Sequence, residues 1–113
     1  MDKTPTIFKL LSDKNRLAMF MMFMHDEYCV CDVERFLALK QANVSKHLMM
    51  FRDLDLLSIR KEHQWTHYKM SHEALLEHKQ LCQYLINTDY YKFQMAKLEK
   101  FEKSICKPKE DKV

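Results

Sequence analysis

Two cysteines separated by a single residue are the part of this sequence best suited to chemistry. Cys29 and Cys31 stand in the stretch EYCVCDVERF, residues 27–36. Thiolates bind soft and borderline ions such as As(III), Cd(II), Pb(II), Cu(I) and Zn(II) better than Mg²⁺ or Ca²⁺. A disulfide directly between the two would be strained. The pair is therefore predicted to bind a thiophilic ion together, or to form a redox couple with another cysteine.

Two sulfurs leave a trigonal or tetrahedral ligand shell incomplete, so a third ligand is expected elsewhere. The remaining cysteines are Cys82 and Cys106. Cys106 is the first candidate, because it lies beside a tail, residues 107–113, that we expect to be disordered and able to reach a partner subunit. Cys82 is expected to be a half-buried helical thiol. A helix N-terminus favours the thiolate, so we expect lowered pKa values for Cys29 and Cys31.

Composition limits the class of protein. The chain has 113 residues, a net charge of +3 and no glycine, which predicts one domain over residues 1–106 and excludes glycine-rich phosphate loops. The longest apolar run, LAMFMMFM at residues 17–24, is far shorter than the ~20 residues that span a bilayer. With no signal peptide recognised, we expect a cytoplasmic protein without membrane contact. Neither a nucleophile–base pair nor positioned paired acids is evident, so we expect no enzyme.

The elements that must position these cysteines follow from periodicity and capping signals. Helices are predicted from Thr4-Pro5, from Ser12-Asp13 to about residue 24, from Asp32, and over 41–54. Two β-type segments, 56–61 and 65–70, are joined by three residues and predict a hairpin. Short helices followed by a hairpin favour a winged helix-turn-helix, mainly α with a small β wing, whose fourth helix enters the DNA major groove.

A long amphipathic helix is predicted at the end of the chain, over about residues 72–105, with Ser71 as its cap. Its apolar stripe is longer than a compact domain can cover, which favours pairing with a second copy. We therefore expect a homodimer formed by about residues 4–11 and 72–105.

Four motifs in order make the chain similar to the ArsR/SmtB family of metal-responsive repressors. They are FKLLSDKNRLAMF, EYCVCDV, QANVSKHLMMFRDLDLL and RKEHQWTHYKM, and together they span about residues 8–70. The chain most resembles the arsenic- and cadmium-type members with a CVC motif. The resemblance implies a dimeric winged-helix repressor that binds an inverted-repeat operator in double-stranded DNA and is released by a thiophilic ion.

The sequence departs from the family pattern at several positions. Glu34 stands where many arsenic-sensing relatives have a third cysteine, and the N-terminal arm lacks the cysteines of cadmium and lead sensors. Lys40 replaces the usual Ser or Thr before the recognition helix, which removes a cap worth about 1 kcal/mol. Asp55 and His63 stand where the family often has glycine, and both residue types tolerate a left-handed backbone.

A basic and polar surface is predicted around the recognition helix and the wing. Gln41 and Asn43 can read adenine edges, and Lys46 can reach guanine acceptors. Ser45 and His47 match the family's Ser-x-His, which implies a phosphate contact for Ser45. The predicted DNA-binding residues are Lys40, Gln41, Asn43, Ser45, Lys46, His47, Arg60 and Lys61.

The predicted function is a repressor that leaves its operator when arsenite, or else Cd(II), Pb(II) or Zn(II), binds Cys29 and Cys31. One alternative is a thiol-based redox or reactive-sulfur sensor of the same fold. Another is an interaction module that does not bind DNA. The zinc-type pattern of the family's last helix is missing, and His72 and His78 are expected to face solvent. The methionines of residues 19–24 are interpreted as core rather than as a Cu(I) site.

Overall fold

The computed structural model describes residues 2–101, which form seven helices and three strands. Cys106 and the predicted tail lie outside this range. The helices are α1 (Thr4–Leu11), α2 (Lys14–His25), α3 (Val30–Leu37), α4 (Gln41–Asp53), α5 (His72–Glu77), α6 (Lys79–Ile86) and α7 (Asp89–Glu99). The strands are β1 (Tyr28–Cys29), β2 (Leu57–Glu62) and β3 (Trp65–Met70). None of the described helices is long and apolar enough to cross a bilayer.

Helix α2 lies at the centre of the core. Its residues 18–23 are all buried, including the methionines at 19, 21 and 22, and a helix that is apolar all round is expected inside a domain. The ring of Phe23 meets Phe51 of α4 edge-on at 5.8 Å and lies 6.4 Å from Tyr68 of β3. The interpretation of these methionines as core residues is confirmed, and α2 joins α4 to the sheet.

The winged helix-turn-helix prediction is confirmed. Helix α4 buries Val44, Leu48 and Phe51 as expected, and its start at Gln41 agrees with the prediction. Strands β2 and β3 pair antiparallel from Leu57↔Met70 to Glu62↔Trp65, which forms the wing hairpin.

Within the described part of the chain, three residues adopt a left-handed backbone. Asp55 and His63 have φ of 56° and 59°, as predicted for positions where the family often has glycine. Ala38, which ends α3 with φ 55°, was not predicted. A left-handed alanine is unfavourable because its Cβ crowds the following carbonyl oxygen.

A third strand joins the wing. β1 pairs antiparallel with β3 through Tyr28↔Tyr68 and Cys29↔His67, which gives the strand order β1-β3-β2. The sequence did not predict that residues 28 and 29 pair with β3. The segment that carries Cys29 is therefore part of the wing sheet.

The prediction of one long terminal helix is wrong. Ser71 does cap the first part, since its hydroxyl accepts from the Ala74 amide at 3.0 Å. The helical path breaks at His78 and again at Asn87 and Thr88, giving α5, α6 and α7. The Thr88 hydroxyl accepts from the Tyr91 amide at 3.1 Å, because short hydroxylated side chains favour helix caps over helix interiors.

The first helix is also capped differently from the prediction. Thr4 is the first residue of α1 and Lys3 is its N-cap, while the Thr4 amide and hydroxyl both donate to Asp2. Pro5 lies in the first turn, as predicted.

Candidate effector site and nucleic-acid interface

Cys29 belongs to two elements at once. It is the last residue of β1 and the N-cap of α3, with an extended backbone at φ −90°, ψ 173°. Its side chain is buried, and so is that of Asp32. One oxygen of Asp32, Oδ2, accepts both the Cys29 amide at 3.1 Å and the Cys29 thiol at 3.4 Å. A single carboxylate therefore fixes the thiol and the start of α3 together.

Burial decides the protonation of the Cys29 thiol. It raises the pKa of Cys29 to about 11, and the charge and hydrogen bond of the Asp32 carboxylate act in the same direction. Backbone hydrogen bonds at the helix start favour the thiolate but are outweighed. The expected lowering of this pKa is therefore wrong for Cys29, and ligand binding there must displace a proton.

The other cysteines lie in different surroundings. Cys31 is half-buried in the first turn of α3 and is disulfide-bonded, whereas Cys29 and Cys82 are free. Cys82 is buried in α6, and this burial raises the pKa of its thiol. Within residues 2–101, no group of three or more His, Cys, Asp and Glu side chains is placed to hold a metal ion. Cys106, the predicted third ligand, lies outside the described residues.

The predicted solvent-facing histidines differ from each other. His72 is exposed, as expected. The side chain of His78 is only 15% exposed, and its Nε2 lies 3.9 Å from Glu77, so the expectation is wrong for that residue.

Helix α3 holds the end of the described chain on its surface. The Arg35 guanidinium lies 4.5 Å from the centre of the Phe101 ring, and Phe36 meets the same ring edge-on at 5.3 Å. Arg35 also lies 3.5 Å from Asp32 Oδ1. Lys97 of α7 adds a cation–π contact to Phe36 at 5.6 Å. Phe101, the last described residue, is thereby anchored on the helix that carries Cys31.

The predicted DNA-binding residues near α4 form an exposed surface, except that His47 is partly covered. Six of the eight predicted residues are exposed and form no ion pair within residues 2–101: Lys40, Gln41, Asn43, Ser45, Lys46 and Lys61. Met49 on the same helix is 62% exposed. His47 is partly covered, with its Nδ1 3.5 Å from Arg16 Nη1. Burial lowers the pKa of His47 below its ordinary value, so the neutral ring is favoured.

Arg60, the remaining predicted DNA contact, is bound to acids. Its Nη2 and Nε donate to the two carboxylate oxygens of Glu27 at 2.7 and 3.0 Å, and its Nη1 donates to Glu62 at 3.2 Å. Glu62 also lies 3.5 Å from His67 Nε2. The hydrogen bond from Arg60 lowers the pKa of the Glu27 carboxyl below its ordinary value. The structure therefore separates Arg60 from the free cations of α4.

The sequence of this fold matches a known family. Residues 13–58 match the family described as bacterial regulatory protein, arsR family. The chain is 38% identical over 66 residues to the arsenical resistance operon repressor of Escherichia coli (strain K12), covering 58% of this chain and 56% of that protein. It is 33% identical over 70 residues to the arsenical resistance operon repressor of Staphylococcus xylosus, covering 62% of this chain and 67% of that protein. The chain belongs to the ArsR family.

The solved structures agree with this ArsR assignment. HlyU from Vibrio cholerae N16961 superposes with a TM-score of 0.58 at 29% identity, covering 71% of this chain and 92% of that one. Other matched relatives are named as regulators of cadmium resistance. The relatives are named as repressors and regulators rather than enzymes, as the sequence predicts. The chain spans little more than half the length of the Escherichia coli relative.

Several residues that shape this ArsR-family site were missed in the sequence. Glu27, Asp32 and Phe101 make their contacts through burial or across long sequence separations. Of these three residues, only the contact of Asp32 was detectable in the sequence, because an acid three residues after a helix cap is typical of a capping box. Glu27 is 33 residues from Arg60, and no local pattern links them.

Proposed function

We propose that this ArsR-family chain is a transcriptional repressor that binds operator DNA and is released when a thiophilic ion, arsenite first, binds Cys29 and Cys31. The observation that carries the proposal is the double role of Cys29, which ends a strand of the wing sheet and caps α3. Helix α3 packs beside α4, the helix that we propose enters the major groove. Any ligand that moves Cys29 therefore acts on both proposed DNA-binding elements.

The DNA-binding side of the proposal rests on the exposed start of α4. Lys40, Gln41, Asn43 and Lys46 are exposed there, and the apolar face of the helix is turned into the core. In helix-turn-helix proteins the N-terminal residues of the recognition helix contact base edges. Lys61 on the wing adds an exposed cation that can neutralise a phosphate.

The effector part of the proposal depends on the proton and the hydrogen bond that the Cys29 thiol loses on binding an ion. Its thiol is protonated at neutral pH and hydrogen-bonded to Asp32, and the thiolate is the form that binds a metal. Once the disulfide of Cys31 is reduced by a dithiol, Cys29 loses its proton and its bond to Asp32 when it binds an ion jointly with Cys31. The cap of α3 loosens as a result, and a coupling of 1–3 kcal/mol is enough to weaken DNA binding about 5- to 150-fold.

Cys106 of the same chain is the proposed third ligand. Phe101 is held on α3 by Arg35 and Phe36, and Cys106 follows five residues later. Five extended residues span at most about 17 Å. We therefore favour a Cys106 ligand from the same subunit, whereas the sequence suggests that Cys106 reaches a partner subunit.

A second candidate function is a thiol-based redox sensor, favoured by the disulfide at Cys31. Since Cys29 and Cys82 are free, the partner to test is Cys106. Formation of that bond by a peroxide would take two electrons and two protons from the thiols and reduce the peroxide to two molecules of water. Reduction by a dithiol would reverse it.

The deciding experiment is fluorescence anisotropy with the promoter DNA of the protein's own gene, under reducing conditions, titrated with arsenite, Cd(II) and Zn(II). We expect arsenite to weaken binding by wild type about 5- to 150-fold and to leave the Cys29→Ser/Cys31→Ser variant bound. Cys82→Ser is the matched control and should respond like wild type. Absence of DNA binding would contradict the repressor proposal.

The same titration tests the third ligand and the redox alternative. Cys106→Ser and Phe101→Ala should each need about tenfold more arsenite for release from DNA, equal to about 1.4 kcal/mol. The double variant should need no more arsenite than Cys106→Ser alone. Release by peroxide, with no response to any ion and reversal by dithiothreitol, would replace ion sensing with redox sensing.

A further inference from the structure

The face of the wing sheet that carries Cys29 also carries the Glu27–Arg60 ion pair. Cys29, His67 and Arg60 are direct neighbours across the three strands, through the pairs Cys29↔His67 and Arg60↔His67. Directly opposed residues present their side chains on the same face of a sheet. Tyr28 and Tyr68 occupy the opposite face, where Tyr68 contacts the core ring of Phe23.

Glu27 reaches across this face to the far strand. It precedes β1, yet its carboxylate binds Arg60 of β2 through two hydrogen bonds of 2.7 and 3.0 Å. A two-point contact between arginine and a carboxylate has directional strength that a single-point ion pair lacks. Glu62 then continues the cluster to His67 at 3.5 Å. The Glu27–Arg60 pair therefore connects the segment before β1 to β2, across the central strand β3.

Strand β1 connects the effector cysteine to the Glu27–Arg60 pair. It contains only two residues, and Cys29, one of the two, must leave Asp32 to bind an ion with Cys31. Glu27 is two residues away on the same short segment. A displacement of Cys29 therefore shifts Glu27 and pulls on Arg60.

We propose that the Glu27–Arg60 pair is a clamp that transmits ligand binding at Cys29 and Cys31 to the wing, in addition to the route through α3 to α4. This inference rests on the proposed function. It gives Arg60 a positioning role within the protein in place of the predicted contact with DNA phosphate.

The test separates a clamp from a phosphate contact by comparing Glu27→Gln, Arg60→Gln and the double variant. DNA affinity is measured by anisotropy with and without saturating arsenite and at several salt concentrations. We expect each single variant to reduce the arsenite-induced weakening of DNA binding by about two- to fivefold, the range of an exposed ion pair. The double variant should match the singles, because both break one interaction. Glu73→Gln, which neutralises an exposed acid of α5, is the control and should respond like wild type.

Lys61→Gln supplies the comparison for a true phosphate contact. Loss of such a contact weakens DNA binding and lowers the salt dependence by about one unit. The clamp proposal is wrong if Arg60→Gln weakens DNA binding, lowers its salt dependence and leaves the response to arsenite unchanged. Equal salt dependence in Arg60→Gln and wild type supports it.

A measurement without DNA or ion distinguishes failure of the clamp from failure of the proposed function. Hydrogen exchange of the β3 amides should become faster in Glu27→Gln, and the charge-exchanged variant Glu27→Arg/Arg60→Glu should return it toward the wild-type rate. Unchanged exchange in Glu27→Gln would exclude the clamp even if arsenite releases wild type from DNA. Wild type that ignores every ion would overturn the proposed function and with it the transmission of ligand binding.

Discussion

At the scale of single residues, Cys29 shows how burial can reverse an expectation based on position in a helix. Its place at a helix start was predictable from the C-x-C motif and the acid that follows. Its pKa was not, because the sequence does not reveal that the thiol is 2% exposed and shares one carboxylate oxygen with its own amide. Desolvation of an anion outweighs the favourable helix start.

This buried thiol predicts an alkaline loss of stability. The pKa of Cys29 rises from its ordinary value of 9.0 to about 11 on folding. The contribution of this thiol to the free energy of unfolding is therefore fully present below pH 9 and is lost as the pH rises to 11. With about 1.4 kcal/mol for each pKa unit, reduced wild type should lose about 2–3 kcal/mol from this group. Urea unfolding between pH 8 and 11 checks the value.

The Cys29→Ser variant is the control for this pH dependence. The other thiol and phenol groups with raised pKa values, Tyr28, Cys82 and Tyr91, remain in both proteins, so their effects on the alkaline slope cancel in the difference. Equal alkaline slopes in wild type and Cys29→Ser would show that the Cys29 thiol does not titrate as described.

At the scale of elements, the sequence predicted what periodicity and capping encode. The apolar face of α4, the hairpin and the Ser71 cap all follow from local patterns. The pairing of β1 with β3 does not, because two residues are too few to show alternation. The breaks after α5 and α6 were missed because the apolar stripe continues through them, while the Thr88 cap decides the local backbone.

The connection between α3 and α4 predicts a stabilising substitution. Ala38 has φ 55°, a conformation that costs a residue with a Cβ about 1 kcal/mol or more and glycine almost nothing. Ala38→Gly should therefore stabilise the fold by about 0.5–1 kcal/mol, after the larger chain entropy of glycine is allowed for. The free energy of unfolding in urea measures it.

Ala96→Gly is the matched control for Ala38→Gly. Ala96 is exposed within α7, where glycine costs about 1 kcal/mol relative to alanine. If both substitutions destabilise the protein equally, the left-handed conformation of Ala38 is not the controlling factor.

At the scale of the whole molecule, large apolar side chains are exposed on the elements that the sequence assigns to a dimer. Phe8 of α1, Leu76 of α5, Tyr84 of α6 and Phe93 of α7 are each at least 60% exposed. Monomers rarely expose extended apolar patches unless they bind a partner. Homodimerisation through residues 4–11 and the terminal helices therefore remains our proposal, although the terminal region is three helices rather than one.

A charge placed on this apolar surface should separate the subunits. Phe8→Lys is expected to shift the protein from dimer to monomer in sedimentation velocity at micromolar concentration, and to weaken binding to an inverted repeat at least tenfold, since one half-site is then lost. Thr6→Lys, an exposed position on the same helix, is the control for added charge. A wild-type protein that sediments as a monomer would contradict the dimer.

The burial of the methionines determines which of them an oxidant can reach. Met19, Met21 and Met22 of α2 are buried in the core, whereas Met49 is 62% exposed on the helix that we propose enters DNA. Peroxide can therefore make a polar sulfoxide at the proposed DNA interface and mimic release by a sensing cysteine. Thiol reductants restore a disulfide but not a methionine sulfoxide, which requires a dedicated reductase. A loss of DNA binding that survives dithiothreitol therefore reports either methionine sulfoxide or a cysteine oxidised to a sulfinic or sulfonic acid, and a Met49→Leu protein distinguishes the two.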